Sequence, residues 1–191
     1  FTMVRIAALL CLGLVASALP AQESEVKPVN LPCNTEKDEI DPHASSSGLQ
    51  LLYVTKLNGK YEVMVSERKT VKDAWGAGKP LPDLKSKEAD FRSPFLTADG
   101  KYPQYLYYAS NKDPEKRDKK SDNYDLYFLV KPKAGADFSY DNAVIATDTE
   151  VDELNPWVTP DRRQIYFSRK EKEGNWQLYV TTQPAGGGQY G

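Results

Sequence analysis

Three acidic pairs are the first residues here that could do chemistry. Glu36 and Asp38, Glu88 and Asp90, and Glu150 and Asp152 each open the pattern E-x-D-x-x-[D/S/N]-P, which closes at Pro42, Pro94 and Pro156. The copies lie 52 and 62 residues apart. Carboxylates that recur at equivalent places and face one axis would draw cations, and Ca²⁺ in particular takes about six to eight oxygen ligands. Crowding of like charges would also raise some of their pKa values and open acid/base chemistry. The plainer reading is structural: the same oxygens accept hydrogen bonds from loop amides, or meet Lys and Arg of a neighbouring copy, and so set the spacing between copies. Beyond a Ca²⁺ ion on these six residues, no cofactor is expected.

Other chemistry-bearing types are scarce. His43 is the one histidine of 191 residues, and no G-x-S-x-G elbow accompanies it, so a Ser/His/Asp triad has no framework. One histidine with two cysteines cannot build a His/Cys zinc cluster. Gly186-Gly187-Gly188 follows no strand-to-helix unit that would make it a phosphate loop. Trp75 is the candidate for stacking on a sugar or peptide ligand, whereas Trp157 and Trp176 read as packing residues. Asp99 and Asp161 read as turn formers. No catalytic residue is assigned.

Composition narrows the class. Lys plus Arg number 25 against 27 Asp plus Glu, a net charge of -2, so no basic excess recruits nucleic acid. With 27% charged residues the chain is not a multi-span membrane protein, and 11% aromatics, twelve of them Tyr, is too much for a disordered one. Arg5 precedes an apolar run from Ile6 to Leu19, too short to span a bilayer, with the small residues Ala16 and Ala18 near its end and Ala21 just beyond it. That reads as a secretory signal peptide over residues 1–21, cut after Ala18 or Ala21, with no transmembrane segment afterwards. Cleavage leaves Cys33 alone, so the exported domain holds by packing rather than by an internal disulfide. Phe1 and the Pro/Gly/Gln-rich tail Gln183–Gly191 read as flexible or truncated edges of a partial reading frame.

The elements that position the acids are themselves repeated. Lys27-Pro28-Val29 returns as Lys79-Pro80-Leu81 at the same offset of 52. After each proline comes a turn: Asp99-Gly100, Asp161-Arg162, and a decayed Ser47-Gly48. Then an aromatic strand arrives at Leu51–Val54, Leu106–Ala109 and Ile165–Ser168, and a second at Glu62–Val65, Asp125–Phe128 and Gln177–Val180. The highly charged stretch Asn111–Asp122 reads as a solvated hairpin tip. Segments around Val63–Leu84 and Leu126–Ile145 would supply further strands. Such units match propeller blades of about four short strands in roughly 40–50 residues, whose faces only neighbouring blades can cover. The expected fold class is therefore all-β, a partial β-propeller of about three four-stranded antiparallel blades, with repeats near 27–78, 79–140 and 141–182.

Proline, an aromatic, Ser/Thr-x-Asp-Gly and a strand ending in aromatic-aromatic-Ser resembles the WD40-like (TolB-type) β-propeller repeat of bacterial exported proteins. Pro94–Ser110 and Pro156–Arg169 carry the match best, and Pro42–Thr55 carries it weakly. The resemblance implies an exported binding or scaffold module in the periplasm or outside the cell. Its partner would be a protein or cell-wall glycan, and further blades would come from the same chain or by association. The alternative is the propeller portion of a hydrolase: a peptidase with a downstream α/β-hydrolase domain, or a propeller glycosidase.

Overall fold

Each copy of the acidic pattern runs directly into a strand. The computed structural model describes residues 27–113, 120–144 and 150–183; the signal-peptide stretch 1–21, the core of the charged loop and the tail from 184 lie outside the described residues. The first sheet joins β1 (Glu39–Ala44), β2 (Gln50–Leu57), β3 (Lys60–Glu67) and β4 (Lys79–Pro80) in that order. The second joins β5 (Phe91–Leu96), β6 (Gln104–Lys112), β7 (Lys120–Lys131) and β8 (Ser139–Val144). The third joins β9 (Glu153–Val158), β10 (Gln164–Lys170) and β11 (Trp176–Thr182). Every pairing is antiparallel between neighbours in sequence, so each unit is a meander.

The turns follow from residue type. Gly100 and Arg162 close their hairpins at φ of 72° and 57°, the left-handed conformation that Gly adopts freely and Arg does not. The pattern's sixth position shares that conformation inside the strands: Asp41, Ser93 and Asn155 have φ of 52°, 48° and 57°. The register slips beside each of them, between Ile40 and His43, between Arg92 and Phe95, and opposite Asn155 between Tyr166 and Ser168. A bulge tolerates the proline that follows, because no ladder amide is required there.

Alternation along the strands gives every sheet two apolar faces. Leu52, Val54, Val63 and Val65 of the first sheet pack on Phe91, Leu106, Tyr108, Tyr127 and Leu129 of the second, with Leu81 and Leu84 joining them. The second sheet's opposite face, with Tyr107, Ala109, Leu126 and Phe128, packs on Leu154, Val158, Ile165 and Phe167 of the third. Each fully buried Leu or Ile in these layers is worth about 1.5–3 kcal/mol relative to exposure. The first sheet's outer face, Leu51, Tyr53 and Met64, is covered by Leu31, Cys33 and Trp75. Strand β5 contacts both β1 and β9, so the first strands of the three sheets are neighbours.

Three expectations are amended. The third sheet has three strands among the described residues rather than four. Asn111 and Lys112 belong to β6 and are buried, not part of a solvated tip. Aromatic rings explain the latter: the Lys112 ammonium lies 3.8 Å from the Tyr127 ring centre and donates to the Tyr108 hydroxyl at 3.0 Å. Trp157 and Trp176, read as core or inter-blade packing residues, are 52% and 47% exposed because no sheet covers that face of the third sheet among the described residues, although the Trp157 ring still meets Phe95 of the second sheet with ring centres 6.4 Å apart.

Candidate functional site

The bulged positions meet where the first strands run side by side. The Ser93 amide donates to Asp41 Oδ2 at 3.1 Å, and the Ser93 hydroxyl lies 3.3 Å from that oxygen and 3.0 Å from the Asn155 side-chain oxygen. A hydroxyl has one proton; given to charged Asp41, it leaves Ser93 Oγ to accept from the Asn155 amide turned over. Arg92 completes the Asp41 environment with two contacts, Nε to Oδ2 at 3.2 Å and Nη2 to Oδ1 at 3.4 Å. One polar chain thus crosses all three sheets. An aromatic chain runs beside it from the residue after each proline: His43 and Phe95 have ring centres 4.6 Å apart, and Phe95 and Trp157 6.4 Å. His43 Nε2 bonds the Leu96 carbonyl at 3.1 Å, which makes Nε2 the protonated nitrogen. Burial lowers the His43 pKa, outweighing the raising effects of that carbonyl and of Asp99.

The six acids have unequal surroundings. Asp90 Oδ1 accepts the Tyr61 amide of the preceding sheet at 2.8 Å. Its Oδ2 accepts Asn111 Nδ2 at 3.2 Å and the Tyr124 hydroxyl at 3.1 Å. Asp152 does the same one sheet further on, with Oδ1 accepting the Tyr124 amide at 3.2 Å and Oδ2 lying 3.7 Å from Lys170 Nζ. These two aspartates therefore tie each unit to the third strand of the one before it. Burial and the neighbouring Asp90 carboxylate push the Tyr124 phenol pKa up, so it stays a donor. Glu36, Asp38, Glu88 and Glu150 are exposed. Among the described residues no group of three or more His, Cys, Asp or Glu is placed to hold a metal ion.

Asp99 does more than form a turn. It reaches back to the first sheet's β1–β2 turn, accepting the Ser47 hydroxyl at 2.6 Å and amide at 3.3 Å, and it accepts Gln104 Nε2 at 2.9 Å. Burial acts to raise its pKa, but the hydrogen bonds from Ser47, Ser45 and Gln104 win and hold it below the usual carboxylate range. Asp161 stays local, bonded to Thr159 Oγ1 at 2.6 Å and the Arg163 amide at 3.0 Å. The Asp99 tie frames an open groove of about 580 Å³ between the two turns, lined by Gln50, Glu67, Arg68, Lys69, Tyr102, Gln104 and Lys131 among others. Gln50 Nε2 donates to Glu67 at 3.1 Å and Lys79 pairs with the same carboxylate at 3.2 Å, so the carboxylate stays ionised.

Trp75, the stacking candidate, is half-buried behind this groove. The Arg68 guanidinium covers its ring at 4.2 Å, while Arg68 Nε donates to the Gly48 carbonyl at 2.6 Å. Exposed Tyr102 is the aromatic on the groove itself. Sequence reasoning passed over it because it lies outside the repeated strand positions. The polar chain had a readable signal: Asp, Ser and Asn recur at one position before proline, and two of the three types tolerate left-handed backbone.

No protein-family model matches the chain, and no curated protein matches it. No helix among the described residues is long and apolar enough to cross a membrane.

Proposed function

We propose that the chain is a binding and scaffold module: three blades of a WD40-like β-propeller, exported to the cell envelope, that hold a cell-wall glycan or protein without chemistry of their own. The polar and aromatic chains across β1, β5 and β9 support the shared axis, since equivalent positions of successive blades meet at the centre of a ring. The single observation that carries binding is the groove between the turns of the first two sheets. It offers an amide at Gln50, a guanidinium at Arg68, a carboxylate at Glu67 and an exposed phenol ring at Tyr102. Sugars stack on aromatic faces and use such side chains to fix their hydroxyls. The groove is held open from beneath, because Asp99 and Arg68 are bonded to the first sheet's turn.

A muropeptide, which carries sugar and peptide together, tests this by NMR titration. The reading expects shift changes at Gln50, Arg68, Tyr102 and Gln104, lost in Tyr102→Ala, with the muropeptide recovered intact. Shifts confined to other surfaces, or hydrolysis of the muropeptide, would contradict it.

A further inference from the structure

The third sheet carries an apolar face that its two predecessors bury. Tyr166, Leu178 and Val180 are the register counterparts of Leu52, Val63 and Val65 in the first sheet and of Tyr107, Leu126 and Phe128 in the second. Leu52, Val63, Tyr107 and Leu126 are at most 3% exposed, whereas Tyr166 is 42%, Val180 50% and Leu178 86% exposed. Trp157 ends the aromatic chain and Asn155 the polar one, both exposed. Trp176 occupies the place of Tyr61 and Tyr124, whose amides are taken by Asp90 and Asp152; no side chain among the described residues takes the Trp176 amide.

A complementary half-junction lies on the first sheet. Asp38 is the counterpart of Asp90 and Asp152, yet it is exposed and its carboxylate has no hydrogen-bond partner among the described residues. Thr55 is the counterpart of Ser110, whose hydroxyl donates to the Asp90 carbonyl at 2.7 Å. Thr55 is 3% exposed, its hydroxyl has no hydrogen-bond partner among the described residues, and it borders a cavity of about 190 Å³ with Cys33, Glu39 and Tyr53. Val29, counterpart of the 9%-exposed Leu81, is 78% exposed. Among the described residues β11 is an edge strand of the third sheet.

We propose that two copies of this chain join head to tail, the third sheet of each against the first sheet of the other. Asp38 of one copy accepts the Trp176 amide of its partner, and Val29 packs beside the partner's Leu178. Trp75 does not block this, since Phe138 lies on the second sheet's corresponding face while the first sheet packs there. The contact is heterologous, and two of them related by a two-fold axis close six sheets into a ring. That is within the roughly four to eight blades of closed propellers.

The inference rests on the shared axis proposed above, and sedimentation velocity with small-angle scattering on the intact chain tests the two separately. A dimer is expected at micromolar concentration. Leu178→Asp and Asp38→Arg, both at exposed positions, each weaken it by roughly tenfold or more. Mixing the two variants restores one intact junction and returns a dimer. A monomer whose scattering still fits the three-sheet arc overturns the dimer and leaves the arc standing, while a monomer that fits no such arc overturns both. A dimer lost with Leu178→Asp but indifferent to Asp38→Arg overturns the head-to-tail arrangement in favour of third sheet on third sheet, and one indifferent to both overturns it as well.

Discussion

Replacing Asp90 by Ala separates a junction residue from a metal ligand. The carboxylate accepts the Tyr61 amide at 2.8 Å, the Tyr124 hydroxyl at 3.1 Å and Asn111 Nδ2 at 3.2 Å. A hydrogen bond to a charged group is worth about 1.5–3 kcal/mol, and an abandoned buried donor costs about 1–3 kcal/mol. Tyr124 and Asn111 can recover part of this from water entering the space left by the side chain. The Tyr61 amide, in the seam between sheets, recovers least. The expected loss is therefore about 3–4 kcal/mol. Asp152→Ala removes one amide contact at 3.2 Å and a 3.7 Å pairing with a Lys170 side chain that is 45% exposed, so it costs about 1 kcal/mol. Urea unfolding followed by circular dichroism reads both. With a slope of about 2 kcal/mol per molar, Asp90→Ala moves the midpoint down by roughly 1.5–2 M and Asp152→Ala by roughly 0.5 M. The reasoning is refuted if the two substitutions cost the same. It is refuted equally if Ca²⁺ raises the wild-type midpoint and Asp90→Ala abolishes that gain, since the carboxylate would then be holding an ion rather than the seam.

Repeat equivalence does not mean energetic equivalence, and three further measurements exploit this. Leu126→Ala, at a fully buried position between the second and third sheets, costs about 2–5 kcal/mol, while Leu178→Ala at the matching 86%-exposed position stays within about 0.5 kcal/mol in dilute monomer. His43 has a folded-state pKa below its usual 6.5, so between the two values the unfolded chain binds more protons. Its contribution is complete above pH 6.5 and is lost as pH falls through that window, and His43→Gln flattens the unfolding profile there. Gly78→Ala places a methyl group on the Tyr53 hydroxyl and within 2.8 Å of its Cζ, in a ring that is 4% exposed; differential scanning calorimetry should show a loss of about 1–3 kcal/mol.

Local chemistry made much of this architecture readable. The Asp99-Gly100 turn, the alternating Leu106–Ala109 strand and the tandem acidic pattern each point to antiparallel meanders, and the structure has them as β5–β6 and its counterparts. What stayed hidden depends on neighbours distant in sequence. Lys112 looks like one charge among many until Tyr108 and Tyr127 supply the rings that shelter its ammonium. Asp38, Asp90 and Asp152 are indistinguishable in the pattern; Tyr61 and Tyr124 of the preceding units set the latter two apart. The exposure of Trp157 and Trp176 follows from which face lacks a covering sheet, and no property of the indole encodes that. The groove escaped notice because its lining comes from turn and strand-end residues of two units, Gln50 and Arg68 from one and Tyr102 and Gln104 from the other.

Aromatic cross-relaxation in solution tests the shared seam most directly. The account predicts NMR cross-peaks linking the His43 ring to Phe95, and Phe95 to the Trp157 indole, in one continuous chain across three units separated by 52 and 62 residues. Strong cross-peaks within each sheet with none between His43 and Phe95 or between Phe95 and Trp157 would contradict it.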